Sequence, residues 1–203
     1  MHLSTEDAKN IGIILSALIL GLWRPLSEWL KTQLNSKLQL FNKSIAIKVK
    51  VNEILTEMLN RFQAQRTVVY QYHNGDKDQG GVPFMYVSIT YEQSDANTQK
   101  IAQNLQKLPI ALFAETINDI VKACSEGKKY LVQHSEQQPE DVEQQMLAYG
   151  VTSAYHFLMT DRTQDGVVTI SFARHTELDE EELAWAAFKV KEIYRLKKIL
   201  KDH

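Results

Sequence analysis

The sequence predicts an α+β protein: an antiparallel sheet of about five strands flanked by helices, preceded by an N-terminal membrane helix and a long connector helix. Three observations carry this reading. Residues 150–200 hold two β-branched and aromatic runs around the turn Thr163-Gln164-Asp165-Gly166, followed by an amphipathic helix. Residues 67–91 hold a second pair of such runs. Ahead of both, Ile11–Trp23 passes thirteen residues without a charge.

Size and composition narrow the class. The chain has 203 residues, enough for one well-buried domain and an appendage. Its hydrophobic content of 44% is too high for disorder, and its net charge of −2 gives no footprint for nucleic acid. Cys124 is the single cysteine, which excludes an intrachain disulfide and fits a reducing compartment.

Residues 1–30 read as an N-terminal apolar helix. Ser4-Thr5-Glu6-Asp7 has the form of a capping box. A transmembrane helix needs about 20 apolar residues. The run reaches that length only if Leu26, Trp29 and Leu30 extend it. A membrane anchor, an interfacial helix and a buried helix in an oligomer core all remain open. In the first, Ile11, Ile14, Leu15, Leu18, Leu22 and Trp23 face lipid. Arg24, Lys31, Lys37, Lys43, Lys48 and Lys50 follow the run, and the positive-inside rule then places the folded domain in the cytoplasm, with one pass through the host inner membrane.

Residues 31–65 read as a connector and dimerisation helix. Leu26, Leu30, Leu34, Leu38, Phe41 and Ile45 recur at helical spacing, and Ile47, Val51, Ile54, Leu55, Met58 and Phe62 form a second stripe. Such seams pair chains in coiled coils, so a homodimer or larger homo-oligomer is expected. Ser44–Val51 also alternates with period two, which leaves helix and strand both open there.

Residues 66–203 hold the sheet. Thr67–His73 and Pro83–Tyr91 are strands, with Asn74-Gly75 and Gly80-Gly81 punctuating the loop. Alternation in the second puts Met85, Val87, Ile89 and Tyr91 on one face. Residues 95–126 read as helical, with a joint near Pro109 and a stop at Gly127. Lys129–His134 is a short strand, and Pro139-Glu140-Asp141 opens a helix that Gly150 ends. In the closing hairpin Ala154, His156 and Leu158 share one face, and Ser153, Tyr155, Phe157 and Met159 the other. Likewise Val168, Ile170 and Phe172 oppose Val167, Thr169 and Ser171. Asp179 with Glu182 caps the last helix.

This order of elements, and above all the text of Ala148–Thr160 and Asp165–Ile193, resembles the GAF domain and, less closely, the PAS domain. Within it, Thr67–Lys77, Pro83–Glu92 and Leu105–Phe113 resemble a family of phage-encoded GAF-like proteins with a His-Asn-Gly motif, here His73-Asn74-Gly75. The resemblance implies a sensory or protein-interaction module and no enzyme. GAF domains bind cyclic nucleotides, tetrapyrroles or other small molecules, or only dimerise. Cys124 lies in a helical run, so covalent bilin attachment has no support.

Candidate ligand-binding residues are His73, Tyr70, Tyr86, Ser88, Thr90, Phe113 and Tyr155. Each has an ordinary structural role as alternative: His73 as a hairpin side chain, the aromatics as core. The six histidines are scattered, so no metal is expected, and the acids at 177–182 read as a solvated helix start. No phosphate loop or nucleophile elbow is present, and the cofactor is left unknown. The sequence therefore points to a membrane-anchored, homo-oligomeric GAF-like module that takes a small molecule or a protein partner. The rival is a holin-like lysis protein, with one transmembrane helix before a soluble α/β domain.

Overall fold

The computed structural model describes residues 5–77, 83–159 and 166–201, with side chains described for all of these except 5–22, 24, 74–77, 83–85, 124, 200 and 201. The turn residues Thr163, Gln164 and Asp165, and Gly80-Gly81, lie outside the described residues, as does the side chain of Cys124. The chain divides into two units, residues 1–46 and 47–203.

In the first unit, residues 5–46 are helical and belong to α1, Thr5–Phe62, with Pro25 inside the helix. The period-two stretch Ser44–Val51 is helix. Trp23, Leu26, Trp29, Leu30, Leu34, Leu38, Phe41 and Ile45 are all exposed. Among the described residues no helix is long and apolar enough to cross a membrane. The side chains of Ile11, Ile14, Leu15, Leu18 and Leu22 lie outside the described ones.

The second unit holds one antiparallel sheet. Its strands are β1 (Arg66–Lys77), β2 (Pro83–Ser94), β3 (Leu108–Pro109), β4 (Tyr130–His134), β5 (Ser153–Leu158) and β6 (Val167–Phe172). Their order is β3-β2-β1-β6-β5-β4. The sheet has six strands instead of five, because the two residues before the helical turn Ile110–Phe113 pair with Tyr86 and Val87 at the edge. Helices α2 (Ala114–Ser125), α3 (Glu140–Ala148) and α4 (Glu180–Lys201) complete the unit.

One face of the sheet is sealed by helices. Ile47, Val51, Ile54, Leu55, Met58 and Phe62 of α1 pack with Ala186, Val190 and Ile193 of α4 against Val69, Tyr155, Phe157, Val168, Ile170 and Phe172. The second stripe of the connector is thus core of its own chain, not a seam between chains. At about 25 cal/mol per Å² of apolar surface buried, this cluster is the main favourable contribution to folding. The predicted capping box starts α4: Glu182 N–H donates to Asp179 Oδ1 at 2.8 Å, and Asp179 N–H to Glu182 Oε2 at 3.0 Å. Gly127, at φ +80°, ends α2 with Lys128 N–H donating to the Ala123 carbonyl.

Two segments differ from the sequence reading. Asn74-Gly75 does not end the first strand, which runs on to Lys77 with a register shift between Asn74 and Lys77. Residues 95–107 form turns, not a helix. Their amides have stronger partners elsewhere. Both Glu92 carboxylate oxygens accept the Ile101 N–H at 3.0 Å, and Oε2 accepts the Ala102 N–H at 2.8 Å. The Leu105 carbonyl accepts the Ile89 N–H. Ile101 and Leu105 still bury, against Val68 and Ile89.

The register also shifts inside the β1–β2 pair: Val69 faces Tyr91 but Tyr70 faces Ile89, so Thr90 is an extra residue, a β-bulge. The bulge reverses the alternation beyond it. Val87 and Ile89 share a face with Glu92, while Tyr91 joins the α1–α4 core, contrary to simple alternation. At β6, Gly166 sits at φ +113°, and a Cβ there would run into the Tyr70 carbonyl oxygen.

Glu92 thereby meets Arg66, with Nε 3.1 Å from Oε1 and both side chains nearly inaccessible. Arg66 Nη2 also donates to the Gln99 carbonyl at 3.0 Å. Truncating one member of such a pair strands the other charge. Glu92→Ala is expected to destabilise the protein by about 3–5 kcal/mol, whereas Arg66→Met with Glu92→Gln, which keeps an acceptor for the Ile101 and Ala102 N–H groups, recovers most of the loss. Urea denaturation of the three proteins checks this.

Candidate functional site

The other face of the sheet carries the polar residues. Across the strands, Arg66, Val68, Tyr70 and Tyr72 of β1 are in register with Val167, Thr169 and Ser171 of β6, Ala154 and His156 of β5, and Gln133 of β4. Directly paired residues of antiparallel strands point to the same side, so these side chains form one floor. Facing them are Phe113, Thr116, Ile117 and Ile120 from α2 and the turn before it, and Val142, Gln145, Met146 and Tyr149 from α3 and its end. Between floor and roof lies a partly open cavity of about 150 Å³. No residue of α3 is fully buried, so that wall is thin.

Most polar atoms of the floor are committed to each other. His156 Nε2 is 3.0 Å from Gln133 Oε1, and Nδ1 is 2.9 Å from Thr169 Oγ1. Gln133 turns its amide nitrogen to Gln138 Oε1. An amide oxygen only accepts, so His156 carries its hydrogen on Nε2, and Nδ1 accepts the Thr169 hydroxyl. The ring is therefore neutral and bonded at both nitrogens. Burial pushes its pKa down to about 4. Burial likewise pushes the Tyr70 and Tyr72 phenols up to about 12, so both are protonated at neutral pH.

Of the residues singled out from sequence, Tyr70 and Phe113 line this cavity. The others do not. His73, Tyr86 and Ser88 lie on the opposite face at the β1–β2 end: His73 Nε2 is 2.9 Å from Ser88 Oγ, and its ring stacks on Tyr86 with centroids 5.9 Å apart. Thr90 is the exposed bulge residue and donates to the Val69 carbonyl at 3.3 Å. Tyr155 belongs to the sealed face. Its hydroxyl donates to the Thr176 carbonyl and accepts the Leu178 N–H, both at 3.0 Å. Tyr72, an aromatic that the sequence also offers as able to line a cavity, does so, whereas Gln133, His156, Thr169 and Ser171 were missed by sequence reasoning. The signal was present in β6, where Thr169 and Ser171 alternate with the apolar Val168, Ile170 and Phe172, which is what two buried faces of unlike chemistry require.

The described residues contain no cluster of three or more histidine, cysteine or acidic side chains able to hold a metal ion. On the sealed side, His134 stacks on His175 with centroids 4.2 Å apart and bonds Ser153 Oγ, a structural contact that ties β4 to the segment before α4.

No protein-family model matches the chain, and no curated protein matches it in sequence. Solved structures do match in shape. The GAF domain region of a Geobacter sulfurreducens protein superposes with a TM-score of 0.55 at 14% identity, over 79% of this chain and 99% of that one. The phycocyanobilin-bound GAF domain of a cyanobacterial phytochrome gives 0.54 at 14%, over 81% and 93%. The PixJ GAF domain from Thermosynechococcus elongatus gives 0.53 at 12%, over 79% and 92%. At these identities the likeness shows the fold: the chain is GAF-like.

His156 gives a pH prediction. Its folded pKa of about 4 lies below the usual 6.5, so between these values the unfolded state binds more protons. The contribution to stability is complete above pH 6.5 and is lost as the pH falls toward 4, by up to roughly 3 kcal/mol. Imidazole NMR shifts of His156 are expected to stay those of the neutral ring down to about pH 5. His156→Gln is expected to flatten that part of the pH–stability curve.

Proposed function

We propose that the protein is a non-catalytic sensory module that takes a small molecule between the polar face of its sheet and helices α2 and α3. The cavity carries this reading. It sits on the half-polar face, it is walled by aromatic side chains, and the fold is that of domains whose solved examples include bilin-bound ones. A linear tetrapyrrole has four rings, and about 150 Å³ holds far less than that. The ligand of this chain is smaller. Nothing in the site arranges a nucleophile with a base: the one histidine of the floor has both nitrogens committed. No feature of the fold or cavity favours the lysis reading.

We also propose that the first unit tethers the module. The uncharged run Ile11–Trp23 and the exposed Trp23, Trp29 and Leu30 suit a membrane anchor, with the folded domain on the cytoplasmic side. Farther along, the exposed seam Leu34, Leu38, Phe41 and Ile45 suits a second copy of the chain lying parallel.

Two measurements test these proposals. In a thermal-shift screen of the full-length protein against small metabolites, a ligand of the cavity raises Tm, by about 4 °C or more at 100 times its Kd. Ala154→Leu, which fills the floor, removes the shift. Should that variant not fold, Thr116→Trp on the half-exposed wall serves the same purpose. Membrane flotation with and without residues 1–22 checks the tether. Leu34→Glu with Leu38→Glu is expected to turn an oligomer into a monomer in analytical ultracentrifugation, with the sheet domain unchanged by circular dichroism.

A further inference from the structure

Resting on the cavity as the ligand site, we infer that its occupant is a small, uncharged heteroaromatic ring that brings hydrogen-bond acceptors, and not an anion. The argument follows the unspent hydrogen bonds of the floor. Its carbonyl, imidazole and carboxylate acceptors are used: Gln133 Oε1 and His156 Nδ1 within the relay, and both Glu92 oxygens beneath it on Arg66 and two backbone N–H groups. What remains are hydroxyls. Tyr70, Tyr72 and Ser171 line the cavity, and none of their hydroxyls has a partner among the described residues. Ser171 is moreover buried. Such a hydroxyl is satisfied by water or by a ligand, and a ligand that displaces the water must itself bring an acceptor to avoid the cost.

Charge excludes the anion. Among the described residues Arg66 is the one charged side chain lining the cavity, and Glu92 already neutralises it. A carboxylate or phosphate would surrender its hydration without a free cation to meet it. The protonated phenols offer donors but no charge. Size and walls set the rest. A cavity near 150 Å³ takes a benzene-sized ring in a known apolar case. Tyr70, Tyr72, Phe113 and Tyr149 present ring faces for offset or edge packing.

Three probes separate the terms, each titrated into the full chain by ligand-observed NMR: nicotinamide (neutral, with ring nitrogen and carbonyl acceptors), nicotinate (the same ring as an anion) and benzene (no acceptor). Nicotinamide is expected to bind, with nicotinate about tenfold weaker or worse. The isosteric changes Tyr72→Phe and Ser171→Ala are each expected to weaken nicotinamide by about three- to tenfold and to leave benzene unaltered. Ala154→Leu abolishes binding of both. Nicotinate binding as well as nicotinamide, or nicotinamide indifferent to the two hydroxyl deletions, overturns the inference while the cavity remains the site. Binding that survives Ala154→Leu, or binding of none of the three probes, overturns the cavity reading and this inference with it.

Discussion

Everything in the second unit depends on the contact between residues 47–62 of α1 and the apolar face of the sheet. Val51, Leu55 and Met58 have no exposure at all, nor do Val69, Phe157 and Val168 opposite them. With α4 beside it, this layer removes one whole side of the sheet from water. A sheet face so completely covered tolerates no unpaired polar group, and Thr67 shows the rule: its hydroxyl donates to the Leu55 carbonyl of the covering helix at 3.0 Å. Other polar side chains on that face likewise come with a fixed partner, as Ser153 does with His134. The dry layer is what makes the wet one available for recognition.

The far side is built to a different standard. Its roof comes from two short helices, one without a fully buried residue, so its local free energy of opening is small beside that of the α1–α4 layer. A stiff floor under a loosely held roof lets the recess open without disturbing the core. The Arg66–Glu92 pair anchors the rim by holding residues 95–107 to β1 and β2. Its worth lies less in net stability than in fixing one arrangement of that loop.

Much of this was legible in the sequence. The alternation of Ala154, His156 and Leu158 against Ser153, Tyr155 and Phe157 is the observed one, and so is that of β6. The caps at Asp179 and Gly127 fall where turn and helix chemistry put them. Period two tells which residues share a side; it does not tell which side a helix will cover. Tyr155 was grouped with ligand candidates because an aromatic fits either environment, whereas its neighbours Phe157 and Met159 already marked the dry side. The turns at 95–107 were hidden for another reason. The apolar spacing of Ile101, Leu105 and Leu108 is helical, but the Ile101 and Ala102 amides are taken by the Glu92 carboxylate, which the bulge in β2 turns toward them only once the sheet has formed.

The extra residue at Thr90 has a consequence for how such a domain can change. It is the residue of β2 left without a partner between Tyr91 and Ile89, so losing it would leave Tyr91 opposite Val69 and Ile89 opposite Tyr70, with Glu92 still beside Arg66. A one-codon deletion at that point would thus straighten the ladder and relax the local twist, with no side chain moved from one face to the other. The bulge gives β2 one spare position, a place where the chain can shorten while Tyr91 stays among the apolar helices and Glu92 keeps its cation.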